Sequence, residues 1–386
     1  MRTGVIAEFD PFHHGHLALL QNVRRELKSD EIIVALSGSA TQRGEFSACS
    51  KFIRAQWAIL GGADVVFEIP VRGSARSADF FAGAGLDILL AAGIDALAFG
   101  MENPVPHHEL LARATLLEEL STSSQLRELL GHGLAYPRIL TTLLEERGCP
   151  WSDEVKRPNN LLGYAYARAL TKRNHSVRLC PFPRRGASHH AKIGQGQFSS
   201  GTALRRALAT RDDSAISPFV PAFVHGSLEE VTIPKFLSEH LRLLLTRELI
   251  RDRDFSHILG YEPGLERYLL NTLTHDGKIQ ATPRYSHARL RRFCLALLLD
   301  LEKTPTASDF SQYLRPLAFS SRGTKILGEF SVIHRVRKAL LDEGCGRLLR
   351  EEIRATNLRA LLYGEPLQQD FTTPIRPQKK NPWISP

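Results

Sequence analysis

Two histidines three residues apart, His13 and His16, sit in the stretch Phe9-Asp10-Pro11-Phe12-His13-His14-Gly15-His16. The apolar run Val5-Ile6-Ala7 before it reads as a strand, and residues 17–28 after it read as a helix. The histidines therefore fall at a strand-to-helix turn. Free backbone N–H groups and the positive end of the helix dipole make such a turn an anion site. Gly15 lets the backbone approach a ligand with no Cβ in the way. Two imidazoles there can donate hydrogen bonds to phosphoryl oxygens as charge builds in a transition state. His14 adds a third imidazole, so a metal cluster is the competing reading of the same residues.

The elements that must position these groups alternate. Strand candidates are residues 4–9, 31–36, 64–69 and 95–99, with helix candidates at 17–28, 50–60 and 78–92 between them. Short apolar strands separated by helices predict a parallel sheet with right-handed crossovers. No GxGxxG follows the first strand, which disfavours a dinucleotide site. Ligands of open α/β sheets bind beyond the C-terminal strand ends. There the 9–16 turn, the polar loop 37–45 with Gln42 and Arg43, the loop 70–77 and Gly100 should converge. Lys51 and Arg54 share a face of the next helix and face either phosphate or water.

Further on, 108–120, 125–130 and 161–170 read as helices, with Asn159 placed like an N-cap. A strand at 176–182 leads into the basic loop Pro183-Arg184-Arg185-Gly186-Ala187-Ser188-His189-His190. Next, Ser199, Ser200 and Thr202 open a helix with Arg205 one turn in, a second phosphate cradle whose plain alternative is an ordinary cap. Beyond Asp212 the chain reads as helical, with candidates at 236–250, 264–273, 287–301 and 326–341. Arg284, Tyr285, Arg289, Arg291 and Arg292 stand at the start of one of them, a pairing of arginine and aromatic that suits RNA. The reading is thus an α/β chain with a Rossmann-like parallel-sheet catalytic domain over 1–210 and a mainly helical domain over 211–386, ending in an extended tail.

The chain has 386 residues, 43% hydrophobic and 24% charged, ordinary values for a soluble globular protein. No apolar run approaches a membrane span, and no signal-peptide pattern precedes the first strand. The five cysteines are scattered without a CxxC pair, which fits a reducing cytoplasm rather than a disulfide framework or zinc ribbon. The net charge of +9 is unevenly spread: residues 151–210 hold 11 Lys/Arg against 2 Asp/Glu, whereas residues 1–150 hold 13 against 18. Such a stripe suits a polyanion, nucleic acid above all, or else is a solvated face.

Taken together, these motifs resemble the bacterial tRNA(Met) cytidine acetate ligases, of the HxGH nucleotidyltransferase-like class. The matching pieces are Glu8-x-x-Pro-Phe-His13-x-Gly-His16, Gln42-Arg-Gly-Glu45, Lys51-x-x-Arg54-Ala and Phe99-Gly100-x-Glu102. They continue, in order, with Pro158-Asn159-Asn-x-Leu-Gly163, Arg184-x-Gly186-x-x-His189-His190, Ser199-Ser-x-Thr202-x-Leu-Arg205, Arg284-Tyr285-Ser286-x-x-Arg289 and Tyr313-Leu-Arg315. The resemblance implies an ATP site of Ile6, Ala7, Glu8, Phe9, Asp10, Pro11, Phe12, His13, His14, Gly15, His16, Leu17, Ala18 and Leu19, with Gly100, Asn159, Arg184 and Arg185. It implies His13 and His16 as catalytic residues, ATP with Mg2+, acetate and elongator tRNA(Met) as partners, and no protein partner or resident metal. Acetate would attack the α-phosphate to give acetyl-adenylate, and the wobble cytidine amine would then take the acetyl group. Asp10 departs from the family's usual Asn and His14 from its usual small polar residue; a carboxylate beside polyphosphate would weaken binding unless offset. A small-molecule adenylyltransferase, or an RNA-binding protein on the same fold without catalysis, remain the alternatives from the residues themselves.

Overall fold

The computed structural model describes residues 1–131, 136–184, 199–228, 231, 237–251, 254–277, 279–282, 284–304, 310–342 and 344–378. Its centre is a seven-stranded sheet of β1 (Arg2–Ala7), β2 (Glu31–Ser37), β3 (Val65–Ile69), β4 (Ala96–Met101), β5 (Arg178–Pro183), β6 (Pro316–Ser320) and β7 (Pro377–Gln378). The strands lie in the order β5-β4-β1-β2-β3-β6-β7. The first five are mutually parallel, with β1 central and Ile6 opposite Ala35 of β2. The expected α/β sheet is therefore present, and each of its first five strands overlaps a predicted one.

Successive residues of a strand face opposite sides of a sheet. Ile6, Ile33 and Ala35 pack into one apolar layer, with the helices Ala78–Ala91 and Pro158–Lys172. Val5, Ala7, Ile32, Val34 and Leu36 pack into the other, against the helices His14–Glu26 and Lys51–Leu60. Strands covered on both faces read as unbroken apolar runs, and this is why they were legible.

The chain beyond Asp212 does more than add helices. A third core gathers the helices Leu237–Leu249, Leu265–His275 and His287–Leu298. But β6 also pairs antiparallel with β3, and the helix Gly346–Tyr363 sends Glu352 to the backbone N–H of Ser39 and Val71 at the ends of β2 and β3. The helix expected over 326–341 is absent. Instead Ser321–Leu327 forms a short helix capped by Gly328, and a 3-10 turn follows at Lys338–Asp342. The intervening segment carries the adjacent β-branched pair Val332-Ile333, and Ile333 bonds back to Leu314 at 2.9 Å.

Candidate active site

The turn after β1 has the predicted form. Residue Phe9 turns the chain with φ 49°, costing about 1–2 kcal/mol for a residue with a Cβ. Its ring is held edge-on to Phe12, with centroids 4.9 Å apart. His13 is the N-cap of the helix His14–Glu26: its Nδ1 accepts from Gly15 N–H at 3.1 Å, and His16 Nδ1 accepts from His13 N–H at 3.2 Å. The two imidazoles thus form a reciprocal capping box. Because each Nδ1 is an acceptor, each neutral ring carries its proton on Nε2. The rings stack at 3.6 Å between centroids, 17° from parallel. Burial, with the positive charge of Arg184 and the neighbouring His14, pushes His13 down to about 3. Burial, then His13 and Arg184, also holds His16 well below its ordinary value. Both are neutral Nε2–H donors near neutral pH. A Cβ on Gly15 would lie 2.9 Å from the His13 ring, so the ring's position requires glycine there.

These rings line a cavity of about 420 Å³ at the C-terminal ends of β1 and β4. From the first motif Ile6, Ala7, Glu8, Phe9, Asp10, Gly15, Ala18 and Leu19 also line it. Gly100, Asn159, Arg184, Ser199, Ser200, Thr202 and Arg205 join them from the later motifs. Four residues of the first motif do not line the cavity: Pro11, Phe12, His14 and Leu17. Phe12 is completely buried against Phe223 and Gly61, which keeps its ring away from the cavity. Arg185, His189 and His190 lie outside the described residues.

A second helix N-terminus meets the first across this cavity. Ser200 caps the helix Gly201–Thr210 by accepting from Ala203 N–H at 3.2 Å, so the cap reading and the cradle reading hold at once. Arg205 donates to the Asp10 carbonyl at 2.7 Å and to Thr202 at 3.3 Å, tying this helix to the histidine turn. Arg43 approaches Thr202 at 3.4 Å from loop 37–45. On the other flank Arg184 donates to Asn159 at 3.0 Å, and Asn159 donates to Glu102 at 2.6 Å. Asn159 is not the N-cap expected: Pro158 occupies the first helical position and Arg157 caps, which leaves the Asn159 amide free to hold Arg184. Between the flanks lie Phe81, Phe99, Tyr166 and Phe182, an apolar wall. A Cβ on Gly100 would meet nothing within 4 Å, so that position opens into the cavity. Tyr166 and Phe81 carried no sequence signal, since each reads as a core residue of an apolar helix.

The carboxylate of Asp10 does not face phosphate. It is buried and accepts from Ala48 and Cys49 N–H at 2.8 and 2.9 Å. Among the described residues only Glu8 brings a carboxylate group toward the cavity; it accepts from Gln42 N–H at 2.6 Å, and burial raises its pKa. No cluster of three His, Cys, Asp or Glu able to hold a metal occurs among the described residues.

Lys51 and Arg54 face neither phosphate nor water. Lys51 is buried between Glu68 at 2.6 Å, Asp370 at 2.7 Å and Glu352 at 3.1 Å. Arg315 completes this cluster on Glu68 at 2.8 Å and Asp370 at 2.7 Å. Arg54 donates to the carbonyls of Cys49, Glu8 and Gly38 and to the Ser37 hydroxyl, clamping the ends of β1 and β2 from behind.

The basic stripe is partly internal. Arg168 pairs with Asp79, Arg173 with Asp87 and Lys172 with Glu118, joining the positive segment to the negative one before it. Farther along, Arg284 and Arg289 both pair with Glu262, Arg291 pairs with Glu45, and Arg292 donates to the Gln42 carbonyl at 3.3 Å. Tyr285 is buried beside Tyr268, so its ring is not open for a base to stack on. No helix among the described residues is long and apolar enough to cross a membrane.

Comparison with known proteins bears on what this site is. The model of the HIGH Nucleotidyl Transferase family matches residues 1–373. A tRNA(Met) cytidine acetate ligase of Listeria welshimeri is 30% identical over 378 residues, covering 94% of both chains. One of Staphylococcus haemolyticus is 28% identical, over 98% of this chain and 99% of its own. Among solved structures, apo Thermotoga maritima TmcAL superposes with a TM-score of 0.80 at 24% identity, over 96% of this chain and 98% of that one. The form bound with alpha-thio ATP superposes with a TM-score of 0.77 at 22% identity. Along nearly its whole length, then, the chain belongs to the HIGH nucleotidyl transferases and, among them, to the tRNA(Met) cytidine acetate ligase family.

Proposed function

We propose that this protein activates acetate with ATP and transfers the acetyl group to the exocyclic amine of the wobble cytidine of elongator tRNA(Met). The observation that carries this is the pair of Nε2–H donors at one helix N-terminus facing the Ser199–Arg205 segment at another, across a single cavity. In the first step an acetate oxygen attacks the α-phosphorus, the bond to the β-phosphate oxygen breaks, and pyrophosphate leaves. Charge builds on the α-phosphoryl oxygens, where His13 and His16 donate. As neutral donors held by backbone bonds they need no proton transfer and little reorganisation. Arg43, Arg205 and the Ser200–Thr202 N–H groups suit the departing pyrophosphate. The apolar wall of Phe99, Tyr166 and Phe182, with the open space at Gly100, suits the adenine ring.

In the second step the cytidine amine attacks the acyl carbon, loses a proton, and AMP leaves with the bonding electrons of the carbon–oxygen bond. The base must leave its stack to reach the acyl group, which an unpaired anticodon loop makes inexpensive. Arg284, Arg289 and Arg291 remain on the exposed surface and can exchange a carboxylate for an RNA phosphate, since exposed ion pairs contribute only about 0–1 kcal/mol. Magnesium would be carried by the triphosphate, because among the described residues the cavity offers it no more than the Glu8 carboxylate.

Acetate-dependent exchange of labelled pyrophosphate into ATP tests the first step. AMP and pyrophosphate are the expected products; ADP and phosphate would mean an acyl-phosphate route and overturn the reading.

A further inference from the structure

The buried state of Tyr285 raises the question of what an anticodon base would stack on, and the molecule offers a different aromatic. Phe80 is 57% exposed, the one aromatic among the exposed large hydrophobic side chains of the described residues. It stands in the first turn of the helix Ala78–Ala91, whose other early residues Ala78 and Phe81 line the adenylate cavity. That first turn is at the same end of the sheet as the histidine turn, because the helix follows β3 and leads back to β4.

Phe80 is not bare. The Arg76 guanidinium lies over its ring with the carbon 3.9 Å from the centroid. Two nearby arginines are tied to carboxylates, Arg72 to Glu351 at 2.5 Å and Arg291 to Glu45. No carboxylate pairs with Arg76 among the described residues; its charged neighbours are Arg72 and Arg292. Burial and those two cations lower its pKa to about 10, which leaves it charged near neutral pH. Positive charge therefore continues from Arg76 to Arg292, and Arg292 reaches loop 37–45, which lends Arg43 to the cavity.

An exposed aromatic covered by an unpaired guanidinium, next to a nucleotide cavity, is the composition of a base-stacking platform. Every base has a π-face, and arginine adds a cation for the adjoining phosphate. We infer that Phe80 and Arg76 form the platform on which an unpaired anticodon-loop nucleotide beside the wobble cytidine stacks while that cytidine enters the cavity. This rests on the transfer to tRNA proposed above.

The test compares wild type with Phe80→Ala, Phe80→Trp and Arg76→Ala in two measurements. One is acetylation of tRNA(Met) transcript together with filter binding of its anticodon stem-loop. The other is acetate-dependent pyrophosphate exchange with no RNA present. Loss of one stacked base should raise KM for tRNA and Kd for the stem-loop about tenfold in Phe80→Ala. Phe80→Trp should restore both, Arg76→Ala should weaken both, and exchange should stay at the wild-type rate in all three. A Phe80→Ala protein with wild-type affinity for the stem-loop, or one whose exchange falls as far as its acetylation, overturns the platform. A wild-type protein that binds the stem-loop through Phe80 yet acetylates nothing would leave the platform standing and sink the assigned reaction.

Discussion

Replacing His13 separates the two tasks the structure gives that ring. Its Nδ1 caps the helix His14–Glu26 through Gly15 N–H, and its Nε2–H is a donor into the cavity. His13→Ala loses both; His13→Asn keeps a good N-cap, and its shorter side chain holds the amide NH2 short of the Nε2 position, which withdraws the donor from the cavity. Loss of a helix cap is worth about 1 kcal/mol. With an unfolding entropy of ~2.1 cal/mol/K per residue over 386 residues, that is a fall in Tm of only about 1 °C. Loss of one oxyanion-type donor instead lowers the chemical step by about 10²–10³. Ground-state affinity for ATP should change less, because the contact strengthens in the transition state. Scanning calorimetry should therefore show His13→Asn at the wild-type Tm and His13→Ala slightly lower, while pyrophosphate exchange falls by two to three orders of magnitude in both. If His13→Asn retains exchange within about tenfold of wild type, the ring is a cap only and the transition-state role is refuted.

Three further outcomes follow from the geometry. The depressed pKa of His13, about 3 against an unfolded value near 6.5, means the unfolded chain binds more protons between those values; stability should be complete above pH 6.5 and decline as pH falls toward 3. Calorimetry from neutral to mildly acidic pH reads this, and a Tm that rises on acidification would contradict it. Lys51→Met leaves Glu68 and Asp370 to Arg315 and Glu352 with no ion pair among the described residues, so unfolding free energy should drop by about 3–5 kcal/mol while KM for ATP in the folded protein is unchanged; a raised KM without destabilisation would return Lys51 to the phosphate site. Gly100→Val should leave Tm where it is, since its Cβ has open space, and raise KM for ATP by filling the cavity; an unchanged KM would move the nucleotide elsewhere.

The parallel sheet and the histidine turn were legible because their signals are local. Val5-Ile6-Ala7 is buried on both faces, and the HxGH spacing fixes which nitrogens meet which backbone N–H groups. The fates of Asp10, Lys51 and Arg54 were not legible. Each is decided by a partner far along the chain or on a neighbouring loop, such as Glu352 for Lys51 or Ala48 N–H for Asp10. The strand β6 was hidden for a related reason: Pro316–Ser320 opens on a proline amid helix-like stretches, and it is a strand through its pairing with the edge of β3. Asn159 was misplaced by one local rule outranking another, proline at the first helical position over asparagine at the cap. Charge summed along the sequence overstates the free basic surface in the same way, because Arg168 and Arg173 pair with Asp79 and Asp87.

The central claim is that one cavity couples ATP, acetate and a tRNA base, and isotope-traced nucleoside analysis tests it most directly. Unmodified elongator tRNA(Met) transcript is incubated with the protein, ATP and carbon-13 acetate, then digested and examined by mass spectrometry. The expected product is N4-acetylcytidine carrying the label at the wobble position, formed only with ATP and in step with AMP release. Label in no nucleoside, label at another position, or acetylation that proceeds without ATP would contradict it.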